Sequence, residues 1–127
     1  MSAGPATAAA APGDPQELGE LVHAVSQWIN GSPANRERPA QALLWSRVAK
    51  VAEEAGEAVA ALIGATGTNP RKGVNATMAD VERELLDVAF AALCAVDHLR
   101  TATGQGGTSM TQLADHIRTV TERAALA

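Results

Sequence analysis

The sequence predicts an all-α fold, a single-domain bundle of about four helices. Alanine, leucine and glutamate, all strong helix formers, dominate its long segments. No segment shows the strict apolar–polar alternation of a half-buried strand. Aromatic residues make up only 2% of the chain, far from the aromatic and β-branched enrichment that sheets use. At 127 residues the chain can bury one core, yet it is short enough that association between copies is expected to help cover it.

The opening stretch, MSAGPATAAAAPGDP, has neither a positive n-region nor a leucine-rich centre. It reads as a disordered Ala/Pro-rich tail over residues 1–13 rather than a signal peptide, and the single domain occupies residues 14–127. Asp14 is placed to cap the first helix, with Pro15 at its first position, and that helix is expected to run to about Asn30. NGSPANRERP then interrupts it with a glycine and prolines. A second helix is expected from near Pro39 to about Gly64. The stretch GATGTNPRKGVNAT is a loop full of helix breakers. Thr77 can cap a third helix reaching about Thr103, and GQGG ends it. Thr108 or Ser109 opens a fourth helix expected to reach the C-terminus.

Charge and cysteine content narrow the function classes. There are 14 acidic and 10 basic residues, a net charge of -4, so no global basic field recruits nucleic acid. The lone cysteine, Cys94, excludes an internal disulfide and fits a reducing compartment. No stretch reaches the roughly 18 uninterrupted apolar residues of a membrane span. A cytoplasmic protein without membrane or nucleic-acid partners is therefore expected.

VAEEAGEAVAAL, residues 51–62, is the first stretch with an unusual charge pattern. Glu53, Glu54 and Glu57 stand three and four residues apart, so like charges face each other on a helix, a mildly destabilising arrangement. Leu44, Val48, Val51, Ala55, Ala58 and Leu62 form an apolar stripe at helical spacing, expected to face the core. One position back, Arg47, Lys50, Glu54 and Glu57 form a charged shoulder. The third helix repeats the layout. Its apolar stripe is Val81, Leu85, Val88, Ala92, Ala95 and Leu99, and its shoulder holds Asp80, Glu84, Asp87, Ala91, Cys94 and His98. If the two helices pack antiparallel, two carboxylate pairs face each other across the groove. Four converging carboxylates repel unless a cation neutralises them, and hard divalent ions with oxygen ligands, chiefly magnesium, are the natural occupants.

The competing expectation is a solvated charged face, in which Lys50 pairs with Glu54 and Arg83 with Asp87 at i,i+4 spacing. Two carboxylate pairs at the same offset on consecutive helices are less easily accidental, and the pattern alone leaves the metal site and the solvated face both open.

KVAEEAGEAVAAL followed by ERELLDVAFAAL resembles the MazG-like family of all-α nucleotide pyrophosphohydrolases. The family's EExxE segment is matched by Glu53, Glu54 and Glu57, and its ExxD segment by Glu84 and Asp87. The resemblance covers roughly residues 40–100, and GTNPRKGV between the motifs is similar to a loop seen in such proteins. It implies hydrolysis of a nucleoside triphosphate to the monophosphate and pyrophosphate with magnesium, manganese being the alternative ion. It further implies Glu54, Glu57, Glu84 and Asp87 as metal ligands, Glu53 and Glu54 as catalytic groups, and a homodimer or homotetramer. Glu53 would hold or activate the attacking water, or serve a second metal. Phosphoribosyl-ATP pyrophosphohydrolase is a related helical alternative. A catalytically silent helical interaction module is the alternative from another class.

A triphosphate brings several negative charges to an acidic cluster, so cations must reverse the local sign. Lys50 lies one turn before Glu54, and Arg71 and Lys72 sit in the loop between the acidic helices. These three are the candidate substrate-binding cations, arginine for bidentate phosphate contact and lysine as a point charge. Base recognition has little signature. Trp28, near the end of the first helix, reads as core packing, with stacking on a base the alternative, and Trp45 as core or subunit contact. Ala91 stands where some family members place an aromatic. His23 and His116 have no partners suggesting catalysis, His98 is three turns from Asp87, and Cys94 reads as small packing. The spacing of a P-loop, HExxH, paired CxxC and GxSxG are all missing.

Overall fold

The computed structural model describes residues 12–126. The tail expected over residues 1–13 therefore lies outside the described residues, apart from Pro12 and Gly13. Four helices make up the fold: α1 (Pro15–Asn30), α2 (Ala40–Thr66), α3 (Met78–Ala102) and α4 (Ser109–Arg123). No strand occurs among the described residues. No helix among them is long and apolar enough to cross a membrane.

Local chemistry sets most helix ends. The Asp14 carboxylate accepts from the Glu17 amide at 2.8 Å, and Glu17 reaches back to the Gly13 amide at 3.2 Å. Thr77 and Asp80 form a reciprocal capping box at the start of α3, and Thr108 and Thr111 do so at the start of α4. Helix α2 has no side-chain cap at its start, where Pro39 leads in. It passes the expected stop at Gly64 and ends at Gly67, which takes the left-handed conformation (φ 68°) and donates to the Ile63 carbonyl. Gly64 has a different task. The α2–α3 loop folds back on it, with the Asn75 amide donating to the Gly64 carbonyl at 3.0 Å, and a β-carbon there would collide with the Asn75 side chain. At the other end, α4 stops at Arg123, capped by Ala124, short of the expected C-terminus.

The hairpin of α2 and α3 is the most extensive packing interface in the fold; α1 and α4 pack on each other, and both contact α3. Its inner edge differs from the expected one. The residues that face the fold's centre come mainly from the charged shoulders: Arg47 on α2, and Ala91, Cys94 and His98 on α3 are all buried. Most of the apolar stripe lies further out. Ala58 is buried, but Val48 is 57% exposed, Leu62 44%, Leu85 55% and Leu99 46%. Small alanines at the inner positions let polar side chains from α1 and α2 fill the centre, and the larger aliphatics are left to the rim. Trp28, expected in the core, is 76% exposed, because it sits on the outer face of α1 opposite Val22 and Ser26.

Candidate functional site

Glu54 on α2 and Glu84 and Asp87 on α3 each offer a carboxylate oxygen, and the three oxygens lie within 4.8 Å of one another. Helical spacing accounts for this. Glu84 and Asp87 stand one turn apart on one face, and the hairpin brings Glu54 across from them. The Glu54 side chain is only 13% exposed. One oxygen of Glu54 and one of Glu84, Oε2 in both cases, are buried without a hydrogen-bond partner. Buried anionic oxygens without donors are costly, which makes this a place where a cation would be satisfied.

Glu57, the fourth expected ligand, lies on the exposed side of the same cluster. Its carboxyl is pushed above its ordinary value, first by hydrogen bonding to Glu54 and by that group's charge, then by desolvation and by Glu84 and Glu53. The repulsion inferred from the sequence is thus present. Lys50 answers part of it, lying 3.2 Å from Glu54 and 3.3 Å from Glu53. Hydrogen bonds to Glu54 and then Glu53 raise the Lys50 ammonium above its ordinary value. Glu53 points outward, with 59% of its side chain exposed.

The expected Arg83–Asp87 pair does not form. Arg83 turns to Asp80 instead, at 3.0 Å. Asp80 is the better fixed acceptor, since the Thr77 backbone and hydroxyl hold its carboxylate and keep it below its ordinary range. Arg71 and Lys72 sit at the loop end of the hairpin, exposed. Arg71 stands fourteen residues beyond Glu57, the first nine of them in α2, so neither joins the carboxylates within this chain.

Beside the cluster opens a cavity of about 470 Å³, with Lys50, Glu54 and Asp87 at one end and Arg47, Phe90 and Cys94 among its other walls. Arg47 is 5% exposed and donates through Nη2 to the Ser26 carbonyl at 2.6 Å and to Asn30 Oδ1 at 2.9 Å. Burial lowers the guanidinium from its ordinary value, while Cys94 and Asp97 pull the other way. The Cys94 thiol is raised, chiefly by burial. Because Asn30 spends its oxygen on Arg47, its amide NH₂ faces His98 Nδ1 at 3.0 Å, so that nitrogen accepts and the ring carries its proton on Nε2.

His23 has Nδ1 3.1 Å from both oxygens of the buried Asp97 carboxylate, a pairing the sequence did not suggest. Nothing in the sequence links two residues 74 apart. The buried role of Arg47 had a weak signal, its place on the Glu54 shoulder.

His98 gives a pH test. Burial first, then the Arg47 charge, lowers its imidazole, with Asp97 opposing. The unfolded chain, with histidine near about 6.5, then binds more protons than the folded chain just below that pH. Stability should fall as pH drops below about 6.5 and through the folded value. Urea midpoints for wild type and His98→Gln between about pH 7.5 and 5.5 should diverge, with the smaller loss in the variant. Parallel curves contradict the neutral, Nε2-protonated assignment.

Comparison with family models, curated proteins and solved structures finds no match to this chain.

Proposed function

We propose that this chain is a MazG-like, magnesium-dependent pyrophosphohydrolase that converts a nucleoside triphosphate to the monophosphate and pyrophosphate. The observation that supports it most is the meeting of Glu54, Glu84 and Asp87, with buried oxygens that no protein donor satisfies. The donor set is all carboxylate oxygen, which suits magnesium or manganese rather than a soft metal. Glu54, Glu84 and Asp87 would hold the ion, and Glu57 would join them from the exposed side. When bound, magnesium offsets phosphate charge and makes water a better nucleophile near neutral pH.

The remaining work falls to the chain's own side chains. Glu53, outward-facing beside the cluster, is placed to orient a water and accept its proton. Lys50 already lies against Glu53 and Glu54, and an incoming phosphate offers it a second anion at the same spot. Phe90 and Ala91 wall the cavity next to Asp87 and limit solvent on that side. Arg71 and Lys72 stand outside this cavity, so a phosphate role for them lies at the outer end of a bound substrate or across a subunit boundary.

The exposed aliphatic rim supports the oligomeric part of the proposal. Val59, Leu62 and Leu85 line an apolar groove of about 260 Å³ between α2 and α3, and Val48, Trp45 and Leu86 are more than half exposed. So much large apolar surface on a small chain marks an association face. A homodimer or homotetramer is expected, with Leu85→Glu shifting the equilibrium towards monomer. Sedimentation equilibrium at micromolar concentration giving only the 13.0 kDa species for wild type contradicts this.

The activity itself is tested by measuring pyrophosphate release across ribo- and deoxyribonucleoside triphosphates, with magnesium and with chelator. Magnesium-dependent release from at least one of them is expected. A silent helical module gives none from any, and activity confined to phosphoribosyl-ATP moves the assignment to that related reaction.

A further inference from the structure

A second cavity, of about 460 Å³ and polar in its lining, lies where α1, the end of α3 and the start of α4 meet. Glu20 and His23 stand on its α1 wall, and α3 contributes Asp97, Arg100 and Thr101. Asp97 follows Asp87 by ten residues on α3, about 15 Å along the axis, so this cavity is separate from the carboxylate cluster. None of its lining residues takes part in the phosphate chemistry above.

The His23–Asp97 pair gives the cavity a directed imidazole. Nδ1 lies 3.1 Å from both Asp97 oxygens, and an ionised carboxylate only accepts, so Nδ1 carries a proton. The Asp97 side chain is 6% exposed and that of His23 47%, which anchors the pair at its acid end and leaves the ring open. Asp97 also faces the Arg47 charge. With Arg47 sharing the charge of Asp97, the ring needs no positive charge of its own to keep the pair satisfied. The neutral Nδ1–H tautomer then leaves a lone pair on Nε2, at the far edge of the ring. Arg100 donates to the Gly106 carbonyl, which holds its guanidinium at the cavity wall, and Thr101 and Gln105 add O–H and N–H donors. Glu20 is the other acid in the lining among the described residues, and Gln16 donates to it at 2.9 Å. Glu20 and Arg100 oppose each other in charge, so a small phosphorylated molecule meets no net electrostatic barrier.

We propose that His23 is a phosphoryl-acceptor site, its Nε2 taking a phosphoryl group from a phosphoramidate-type donor while Asp97 positions the ring. The Nε2 lone pair attacks phosphorus, an N–P bond forms, and the donor's own P–N bond breaks. The donor nitrogen arrives protonated and leaves as the neutral amine with the bonding electron pair. The ring gains positive charge in this step, and Asp97 stabilises that charge through Nδ1–H as it forms. Arg100 is placed to take the phosphoryl oxygens. The site stands apart from the pyrophosphohydrolase reading and does not rest on it.

Incubation of the full chain with phosphoramidate, followed by site-resolved mass spectrometry at alkaline pH to preserve N–P bonds, tests this. The chain has three histidines, so two serve as internal references. His116 is exposed on α4, and His98 keeps its Nε2 buried. His23 is expected to gain a phosphoryl group at least about tenfold faster than His116, with His98 unmodified. Equal rates at His23 and His116 overturn the proposal and leave the pair as a tie between α1 and α3. Asp97→Asn is expected to bring the His23 advantage below about threefold, because the amide can donate to Nδ1 and put the ring proton on Nε2. Continued protection of His98 in that variant separates this loss from unfolding, which would expose all three rings. An advantage that persists in folded Asp97→Asn overturns the role of Asp97. His23→Gln tests the site without disturbing Asp97. It should abolish the fast adduct and keep the slow one at His116, and a fast adduct that survives there overturns the assignment to His23.

Discussion

Glu54→Gln or Asp87→Asn is expected to lower kcat for pyrophosphate release at least about a hundredfold, about 2.7 kcal/mol of transition-state stabilisation, with helix content unchanged. Each substitution keeps the side chain's shape and removes one negative charge from the three-carboxylate meeting point. The charge matters most where phosphate charge shifts during bond cleavage, so the loss should appear in kcat as well as kcat/KM. Glu54 carries the larger expectation, because it is the most enclosed of the α2 carboxylates and contacts Lys50 as well. Lys50→Ala and Arg71→Ala should behave differently. A phosphate clamp made equally in ground and transition states contributes to binding, so KM should rise while kcat holds. Arg71→Ala also tests whether a second copy completes the site, since Arg71 stands apart from the carboxylates within one chain. Steady-state kinetics on each variant check these outcomes. Activity that survives both Glu54→Gln and Asp87→Asn sinks the mechanism, whatever the substrate.

Magnesium is expected to raise the melting temperature of wild type, and far less that of Glu57→Gln. A ligand that binds only the folded chain adds RT ln(1 + [L]/Kd), about 2.7 kcal/mol at a hundredfold excess over Kd. For a domain somewhat above 100 residues, that is a shift of roughly 10 °C. The metal-free comparison has the opposite sign. Glu57 stands against Glu54 with Glu84 and Glu53 also repelling it, so removing its charge relieves strain when no cation is present. Glu57→Gln should therefore melt no lower than wild type in chelator. Scanning fluorimetry with magnesium and with chelator reads both effects. No wild-type shift at millimolar magnesium removes the main support for the ion site.

Helix number, order and starts are legible in the sequence, three of the starts because they depend on local capping chemistry and that of α2 because Pro39 leads it in. Asp14, Thr77 and Thr108 cap with their own side chains, and that signal lies within three residues of each helix start. The end of α2 was less legible. Gly64 resembles a stop, but it accommodates the returning loop, and the left-handed cap is Gly67. The carboxylate cluster could be read from spacing because Glu54, Glu84 and Asp87 share one geometric rule, a turn of helix and an antiparallel hairpin. The burial of the shoulder could not. Whether Val48 or Arg47 turns inward depends on what α1 presents to it, and Ser26 and Asn30 hold out acceptors that only tertiary packing brings near. The His23–Asp97 pair depends on the same contact between distant helices and is invisible to any local pattern.

The most direct test of the central claim is a manganese titration followed by electron paramagnetic resonance, with manganese as the spectroscopic stand-in for magnesium. Wild-type chain should quench the free-ion spectrum with saturable stoichiometry, and excess magnesium should restore it. Glu84→Gln and Asp87→Asn should each weaken binding at least about tenfold while the protein stays helical. A free-ion spectrum at every protein concentration, or binding that is unchanged in both variants, would contradict a divalent-ion centre at Glu54, Glu84 and Asp87.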